Sequence, residues 1–390
     1  MIIAMLLKKF EPTTGKSKHL LEISRRLVDR GHTVQVITNT VCWSGPASDL
    51  DHLKINRLGG GQNALYFKPA KIAAIVRSIG AHVLEIHGGL SMTLFARRLA
   101  SHSPVPVVVN VHSQPSDLWH EWRHLSWSDW YYDHAYIADI DDIIGGLMKI
   151  VGLTGFIKQQ RIKAVIVPSR ALARRYQSVA SVHYLPSGAT IADNIIKEVN
   201  PDKEELNILF FGRAVMVRGI DTLIKAFDQM ADHYPKLTLS LLLLDDIDLS
   251  RVRRLAARSE HSDKIKLVTG RQAEMNKYLT AATLAAFPFR SSGCIPEQPL
   301  TLIEAMAAGL PVVTTPIGTI NEIVTNEKNG LIVPPADPTK LAEAISRLLN
   351  EPTLRQSFGQ AARDTVSNVF DWDKLSEQTE AIYLKAIDGK

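Results

Sequence analysis

Two arginines in the second half of the chain have the chemistry to hold an anion. In FFGRAVMVRGID, Arg213 follows an apolar run of strand length, and Arg218 comes five residues later, before a stretch of helical period. A guanidinium is a planar fork of donors with a fixed charge, so two of them on one strand-to-helix loop can clamp a diphosphate without a metal ion. Arginines are also common on the surface of such loops, and spacing alone leaves that alternative open.

Two glutamates, Glu297 and Glu304, lie seven positions apart in CIPEQPLTLIEAMAAGLPVV. The segment from Thr301 to Glu304 has the form of a capping box, with Thr301 as the N-cap and Glu304 at the third helical position, and Gly309 then ends a helix of about two turns. The same helix N-terminus offers free N–H groups to a phosphate or to sugar hydroxyls. Composition and spacing leave both roles open.

Acidic and histidine-rich segments suggest competing metal sites. An Asp-x-Asp pair after a strand can hold Mg²⁺ or Mn²⁺ on a nucleotide diphosphate. Such short matches are frequent, the histidines have no second cluster of ligands, and the arginine pair makes a metal redundant, so we expect no metal site. The candidates are the aspartates Asp139, Asp141, Asp246 and Asp248 and the histidines His120, His124 and His134.

The elements that must position these residues alternate between strands and helices, which is typical of α/β proteins with doubly wound parallel sheets. A first helix over residues 16–30 is predicted to bury Leu20, Ile23, Leu27 and Val28 and to end before Gly31. Strands are predicted at 2–7, 33–38, 82–87, 105–112, 164–169 and 182–187, and in a second series at 207–213, 237–246, 264–271, 284–290, 311–315 and 330–335.

Length and composition fit two soluble domains. A chain of 390 residues exceeds one ordinary core, and a polar segment near 190–205 is the expected hinge. No apolar run is long enough to span a membrane, and the N-terminal apolar run precedes its lysines, which indicates a buried strand instead of a secretion signal. Cys42 and Cys294 are too few for a disulfide framework, so we expect a cytoplasmic protein.

Charge is shared unequally between the two halves. Residues 1–195 hold 22 Lys and Arg against 14 Asp and Glu, whereas residues 196–390 hold 23 against 26. A basic half suggests a phosphorylated substrate or an anionic membrane surface as partner, with ordinary solvated side chains as the alternative. We expect no nucleic-acid partner.

An aromatic segment at about 117–160 interrupts the alternating pattern. Four of the six tryptophans, among them Trp119 and Trp122, fall within twelve positions. Aromatic side chains with polar tips suit a sugar-stacking platform or a membrane interface. A helical hairpin that packs on the first domain is the alternative that we favour.

Residues 205–372 closely resemble the donor half of family 4 glycosyltransferases. The resemblance rests on four segments taken together: the FFGR…RG loop, EAMAAGLPVV, TPIGTINEIV and NGLIVPPADPTKLAEAI. RRLVDRGHTVQVIT, HVLEIHGG and VVVNVHSQP resemble the first half more loosely. The resemblance implies the GT-B fold, in which two tandem Rossmann-like domains face a central cleft. Residues 1–190 would bind the acceptor, 191–372 would bind the donor, and helix 373–390 would return toward the first domain.

The resemblance also implies roles for single residues. Arg213 and Arg218 would hold the donor diphosphate, His112 and Glu297 would lie by the donor sugar, and Glu304 would bind ribose hydroxyls. The remaining candidates for donor binding are Gly15, Gly212, Gly270, Arg271, Gln298, Leu300 and Thr301, and those for acceptor binding are His87, Trp119 and Trp122.

The implied reaction moves a sugar, with retention at the anomeric carbon and without a metal or other cofactor, from a nucleotide-sugar to a sugar, lipid-linked or small-molecule acceptor. It would take place in the cytoplasm or at the inner face of the membrane. A nucleotide-sugar epimerase, a phosphorylase and an inactive nucleotide-sugar-binding protein are the alternatives. The chain departs from the family between the two glutamates. Glu297 and Glu304 are one residue closer together than the family's pair, so Pro296 stands at the position expected for the first glutamate. Pro299, which lies between them, has no N–H to offer a ligand.

Overall fold

The computed structural model describes residues 1–11, 15–42, 47–60, 62–113, 160–177, 181–190, 205–244, 248–270, 275–291 and 298–389. They divide into two compact units. The first contains the strands up to Tyr184 together with the last helix, and the second contains Gly188–Asp371. Most of the expected hinge at 190–205, and nearly all of the aromatic segment at 117–160, lie outside the described residues.

Seven described strands form the parallel sheet of the first unit, in the order β3-β2-β1-β4-β5-β6-β7. Consecutive residues of β1 belong to different cores: Ile3 and Met5 pack on one face of the sheet, and Ala4 and Leu6 pack on the other. Both faces are therefore covered, which accounts for the unbroken apolar runs. The strands are β1 (Ile2–Phe10), β2 (Thr33–Val41), β3 (Lys54–Arg57), β4 (Val83–Gly89), β5 (Val107–Ser113), β6 (Ile162–Val167) and β7 (Ser181–Tyr184).

Helices cover both faces of this sheet. The first helix buries Leu20, Ile23 and Leu27 as its period predicts, and leaves Val28 partly exposed. It ends before Gly31, whose φ of 85° is the left-handed conformation that a glycine adopts at little cost. The helices of the first unit are α1 (Gly15–Asp29), α2 (Pro69–Ser78), α3 (Leu90–His102), α4 (Arg170–Tyr176) and the last helix of the chain, α11 (Trp372–Asp388).

Helix α11 packs beside α1 on the face of the sheet that carries Ile3 and Met5. Its buried residues include Trp372, Ile382 and Tyr383. The core of the first unit is therefore completed by residues from the far end of the chain.

Six described strands form the parallel sheet of the second unit, in the order β10-β9-β8-β11-β12-β13. A parallel sheet needs crossover helices, and these separate most of the strands in sequence. The strands are β8 (Leu206–Arg213), β9 (Leu237–Leu244), β10 (Ile265–Thr269), β11 (Leu284–Phe287), β12 (Val312–Thr314) and β13 (Leu331–Ile332). The helices are α5 (Ile220–Met230), α6 (Leu249–Arg258), α7 (Met275–Ala281), α8 (Leu300–Ala307), α9 (Pro338–Asn350) and α10 (Pro352–Val369).

The predicted fold class is confirmed, since both sheets are parallel and of the Rossmann-like α/β type, and each predicted strand is present with shifted ends. Strand β3 was not predicted. It is short, and only Ile55 in it is aliphatic, so it resembles a loop in sequence. Among the described residues, no helix is both long and apolar enough to cross a lipid bilayer.

Candidate functional site

The predicted site residues fall into two groups, one in each unit. Those described in the second unit are Gly212, Arg213, Arg218, Gly270, Gln298, Leu300, Thr301 and Glu304, and those in the first are Gly15, His87 and His112. The predicted positions Arg271, Glu297, Trp119 and Trp122 lie outside the described residues. The same is true of Asp139, Asp141 and Asp246 and of His120, His124 and His134.

The arginine loop, residues 213–219, leaves the carboxyl end of β8 and leads into α5. Arg213 is half-buried and Arg218 is buried. Arg218 folds back over Gly212: a side-chain carbon at position 212 would lie 2.9 Å from Nη1 of Arg218 and 3.7 Å from Cγ2 of Thr301. Gly212 therefore leaves room for a buried guanidinium beside the start of α8.

Neighbouring segments fix the conformation of the arginine loop. The backbone N–H of Met216 donates to the carboxylate of Asp248 at 2.8 Å, and the N–H of Arg290 donates to the carbonyl of Val217 at 2.7 Å. Asp248 is 2% exposed, so this member of the Asp246/Asp248 pair supports the loop. At the end of the loop, Gly219 has a φ of 76° and lies against the backbone of Pro288.

Helix α8 does not begin with the predicted capping box, and that prediction is wrong. The N-cap is Pro299, and Thr301 is the second helical residue, with no side-chain hydrogen bond at the cap. Pro299 is held in an extended conformation, so the helix starts directly after it. Within the described residues, the buried hydroxyl of Thr301 has no hydrogen-bond partner. Glu304 is half-buried in the second turn.

These features meet at the carboxyl edge of the second sheet. Parallel strands end at one edge, where the following loops and helix N-termini collect. The first N–H groups of α8 have no partner within the helix, and its dipole adds positive potential beside Arg218. Gly270, which follows β10, has a φ of 87° and an exposed backbone at the same edge. The arrangement can hold a polyanion through a guanidinium pair and a helix N-terminus.

Three histidines form a buried cluster on the α11 side of the first sheet. Nδ1 of His87 lies 2.9 Å from Nε2 of His112, and the two rings are stacked. The ring of His19, from α1, packs edge-on against His112 and against Trp372. The described part of the chain contains no group of three or more His, Cys, Asp or Glu side chains arranged to hold a metal ion.

A buried carboxylate, Glu85, lies beside the histidines. It accepts hydrogen bonds from Nδ2 of Asn110 at 3.0 Å and from the hydroxyl of Tyr383 at 2.5 Å. Nε2 of His87 lies 2.8 Å from Oε2 of Glu85, an ion-pair contact that is not aligned as a hydrogen bond. Both nitrogens of His87 thus face protein groups, which favours a role in positioning His112 over the predicted contact with an acceptor.

Burial and neighbouring groups determine which side chains of this cluster are charged. Burial alone raises the pKa of Glu85, but His87 and the hydrogen bonds from Tyr383 and Asn110 outweigh it and bring that pKa down to about 2. Burial, and next the neighbouring His87, lower the pKa of His19 to about 4. Burial and the other two histidines lower the pKa of His112 well below its usual value. At neutral pH, Glu85 is therefore ionised, and His19 and His112 are neutral.

Sequence reasoning missed His19, Glu85, Asn110 and Tyr383. Glu85 had a usable signal, since a carboxylate in the middle of the apolar run HVLEIH needs a buried partner. It also shares a strand face with His87, two residues on. Tyr383 had no such signal, because its contact with Glu85 spans 298 positions of sequence. Gly15 is the first residue of α1, four positions before His19.

Two family models match the chain in succession. The model described as Glycosyltransferase Family 4 matches residues 13–190, and that described as Glycosyl transferases group 1 matches residues 192–365. The boundary between the two matches falls near the boundary between the two units.

Curated relatives match about half of the chain. A glycogen synthase of Mycobacterium tuberculosis is 29% identical over 193 residues, which cover 47% of this chain and 43% of the relative. A D-inositol 3-phosphate glycosyltransferase of Pseudarthrobacter chlorophenolicus is 27% identical over 191 residues, or 48% of this chain and 44% of the relative. The chain thus spans about half the length of the curated relatives it matches.

Solved structures match the whole fold. A sucrose-phosphate synthase from Thermosynechococcus elongatus aligns over 100% of both chains with a TM-score of 0.75 and 20% identity. Anabaena HepE, solved in complex with UDP and glucose, aligns over 97% of this chain and 98% of its own with a TM-score of 0.70 and 18% identity. The fold is that of GT-B glycosyltransferases, and with two successive family models over nearly all its length, the chain belongs to the family 4 glycosyltransferases.

Proposed function

We propose that this protein is a retaining glycosyltransferase that moves a sugar from a nucleotide-sugar donor to a sugar, lipid-linked or small-molecule acceptor. The observation that supports it best is the buried Arg218 guanidinium, folded over Gly212 beside the start of α8. A buried cation at the carboxyl edge of a parallel sheet is suited to an anionic ligand, and a nucleoside diphosphate fits a guanidinium pair with a helix N-terminus.

In this proposal, Arg213 and Arg218 bind the donor diphosphate and offset the charge that develops as it leaves. The N–H groups of Leu300 and Thr301 meet a phosphate, and Glu304 binds ribose hydroxyls. Fixed cations fill the role of a metal, so no metal ion is required. Gly15, Gly212 and Gly270 allow the backbone close to the nucleotide, and Gln298 borders it. Arg271 is proposed to face the base and Glu297 the sugar.

The first unit is proposed to contribute His112 to the transferred sugar and to bind the acceptor, with Trp119 and Trp122 as candidate contacts. Its excess of basic residues would favour an anionic acceptor or an anionic membrane surface. Because HepE was solved with UDP and glucose, UDP-glucose is the first donor to test.

Thermal unfolding with a panel of UDP-, GDP- and ADP-sugars, in EDTA, tests donor binding. A bound donor at a hundred times its Kd raises the unfolding temperature by about 5–10 °C. We expect Arg213→Ala and Arg218→Ala to lose this shift while they remain folded, and Arg347→Ala, on the exposed face of α9, to keep it. A donor shift that survives in both site variants, or that needs Mg²⁺, would contradict the proposed site.

Turnover is then followed as release of the nucleoside diphosphate, with the anomeric configuration of the product read by NMR. We expect Arg213→Ala to abolish release, and the product to retain the donor's configuration. Sugar phosphate formed only on addition of inorganic phosphate would instead identify a phosphorylase.

A further inference from the structure

The helices on the two faces of the first sheet differ in charge. Helices α2, α3 and α4 share a core with Ala4 and Leu6 on one face, whereas α1 and α11 share a core with Ile3 and Met5 on the other. The sequences of α1 and α11 contain four and two Lys or Arg residues and two and four Asp or Glu residues, which balance. Those of α2, α3 and α4 contain two, two and three Lys or Arg residues and no Asp or Glu. We call the solvent side of α2, α3 and α4 the basic face.

Three arginines, one on each of these helices, carry the charge of the basic face into solvent. Arg77, Arg98 and Arg174 are exposed, and none forms an ion pair with any residue that the structure describes. Within residues 52–116 the sole acidic residue in the sequence is Glu85, which is buried in the sheet. The helices of the basic face therefore do not neutralise their own charge.

The basic face is broad. Helices α2 and α3 pack against each other and have 10 and 13 residues. With a rise of about 1.5 Å per residue and about 8–10 Å between packed helices, these two alone present a surface about 15–20 Å in each direction. Charges spread over such a surface match an extended array of anions better than a single phosphate group.

An exposed phenylalanine favours a membrane over a soluble polyanion as that array. Phe67 is 78% exposed and stands two residues before the start of α2. The residues before it, Leu65 and Tyr66, pack in the core beneath α2 and α3, so this segment lies on the same side of the sheet as the basic face. An aromatic ring gains from entering the boundary between lipid headgroups and acyl chains, whereas a soluble polyanion offers it no apolar surface.

We propose that the basic face docks on an anionic lipid bilayer, with its arginines at the lipid phosphates and Phe67 at the boundary between headgroups and acyl chains. Docking selects the membrane from the two anionic partners that the proposed function names. Its use for transfer to a lipid-linked acceptor rests on the proposed function. Docking itself is measured without donor or turnover, so its failure and the failure of the proposed function are distinguishable.

Sedimentation with vesicles tests the docking. Vesicles of phosphatidylcholine with phosphatidylglycerol in equal parts are compared with vesicles of phosphatidylcholine alone. We expect the protein to bind the mixed vesicles alone, and to be released when salt is raised from about 0.1 M to about 1 M, which shortens the screening length from about 10 Å to about 3 Å. Equal binding to both kinds of vesicle, or no binding to the mixed ones at low salt, would overturn the proposal.

Charge removal locates the docking surface. In the triple variant Arg77→Gln/Arg98→Gln/Arg174→Gln, affinity for the mixed vesicles should fall by about a hundredfold, since each cation near an anionic surface strengthens binding about fivefold. These side chains are exposed, so the unfolding temperature should stay close to that of the wild type.

The matched control removes three charges from the opposite face. Arg25 on α1 and Lys374 and Lys385 on α11 are also exposed. Their triple replacement by Gln gives the same net charge as the variant of the basic face and should weaken binding much less. An equal loss in the two triple variants would show that net charge alone attracts the protein, and would contradict docking through the basic face.

Substitution of the exposed phenylalanine separates a bilayer from a soluble polyanion. Phe67→Ser should weaken binding to the mixed vesicles by about tenfold, because the ring no longer leaves water. Leu384→Ser, which alters an exposed apolar residue of α11 on the opposite face, should leave it unchanged. If Phe67→Ser has no effect, and soluble polyphosphate binds as tightly as the vesicles, the basic face is a general polyanion site and the membrane assignment is wrong.

Discussion

Thr301 carries a buried hydroxyl that no other described residue satisfies. An unpaired buried hydroxyl lowers the free energy of unfolding by about 1–3 kcal/mol. The hydroxyl of Thr301 therefore either destabilises the protein without a function or hydrogen-bonds to a ligand. Thr301 lies at the second position of α8, and its methyl group and the guanidinium of Arg218 both lie within 4 Å of the position that a Cβ of residue 212 would take. A phosphate oxygen held by that arginine would satisfy it.

Thr301→Val should separate these two roles. The substitution removes the unpaired hydroxyl at nearly constant volume, so the free energy of unfolding of the unliganded protein stays equal or rises by up to about 1 kcal/mol. The affinity for UDP should fall by about tenfold to a hundredfold, since a hydrogen bond to a charged group is lost. Urea unfolding and calorimetric titration with UDP measure the two effects.

Thr365→Val is the control for that comparison. The hydroxyl of Thr365 donates to the carbonyl of Ala361 and accepts from Asn329, so its loss should lower stability by about 1–2 kcal/mol and leave UDP affinity unchanged. If Thr301→Val instead lost stability and kept its affinity for UDP, the hydroxyl would be structural.

The arginine loop shows what a sequence can and cannot tell about a functional element. The strand before it and the helix after it were predictable, because LNILFFGR is a buried run and Leu223, Ala226 and Phe227 recur at helical spacing. The contacts that shape the loop come from Asp248 and Pro288, which are distant in sequence. The capping box failed for a local reason, since the N-cap is Pro299, two residues before Thr301.

Gly219→Ala should disrupt this loop. A Cβ atom at position 219 would lie 1.8 Å from the carbonyl oxygen of Pro288, and the φ of 76° is itself unfavourable for alanine. We expect a loss of about 3–5 kcal/mol in the free energy of unfolding, or a displaced loop that no longer binds UDP. Urea unfolding with and without UDP distinguishes these outcomes, and either one supports the contact.

Gly318→Ala is its control in the same unit. Gly318 also has a positive φ, 61°, but nothing lies within 4 Å of the position its Cβ would take. Its substitution should cost only about 1–2 kcal/mol, from backbone conformation alone. Equal losses in the two variants would mean that Pro288 does not restrict the loop.

At the scale of the whole molecule, the chain returns to its first unit in the last helix. The two sheets were predictable from alternating apolar runs, and the resemblance to a family suggested that the last helix returns. The residues that make its contacts could not be predicted, because members of the same core, such as Ile3 and Ile382, are hundreds of positions apart in sequence. Exposed ion pairs also connect α11 to α1 and the residue after it, such as Arg26 with Asp373 and Arg30 with Glu377.

Ile382→Ala should therefore weaken the first unit through its C-terminal helix. Removal of a buried isoleucine side chain costs about 2–5 kcal/mol, so amide hydrogen exchange in β1 and β4 should accelerate by about thirtyfold or more. Exchange in β8 and β9 should be unchanged, because those strands belong to a separate core. Arg30→Ala removes only exposed ion pairs of the same helix and should have a much smaller effect. Equal acceleration in β8 and β9 would show that α11 stabilises the chain as one cooperative unit, and the two cores could then no longer be treated as separate.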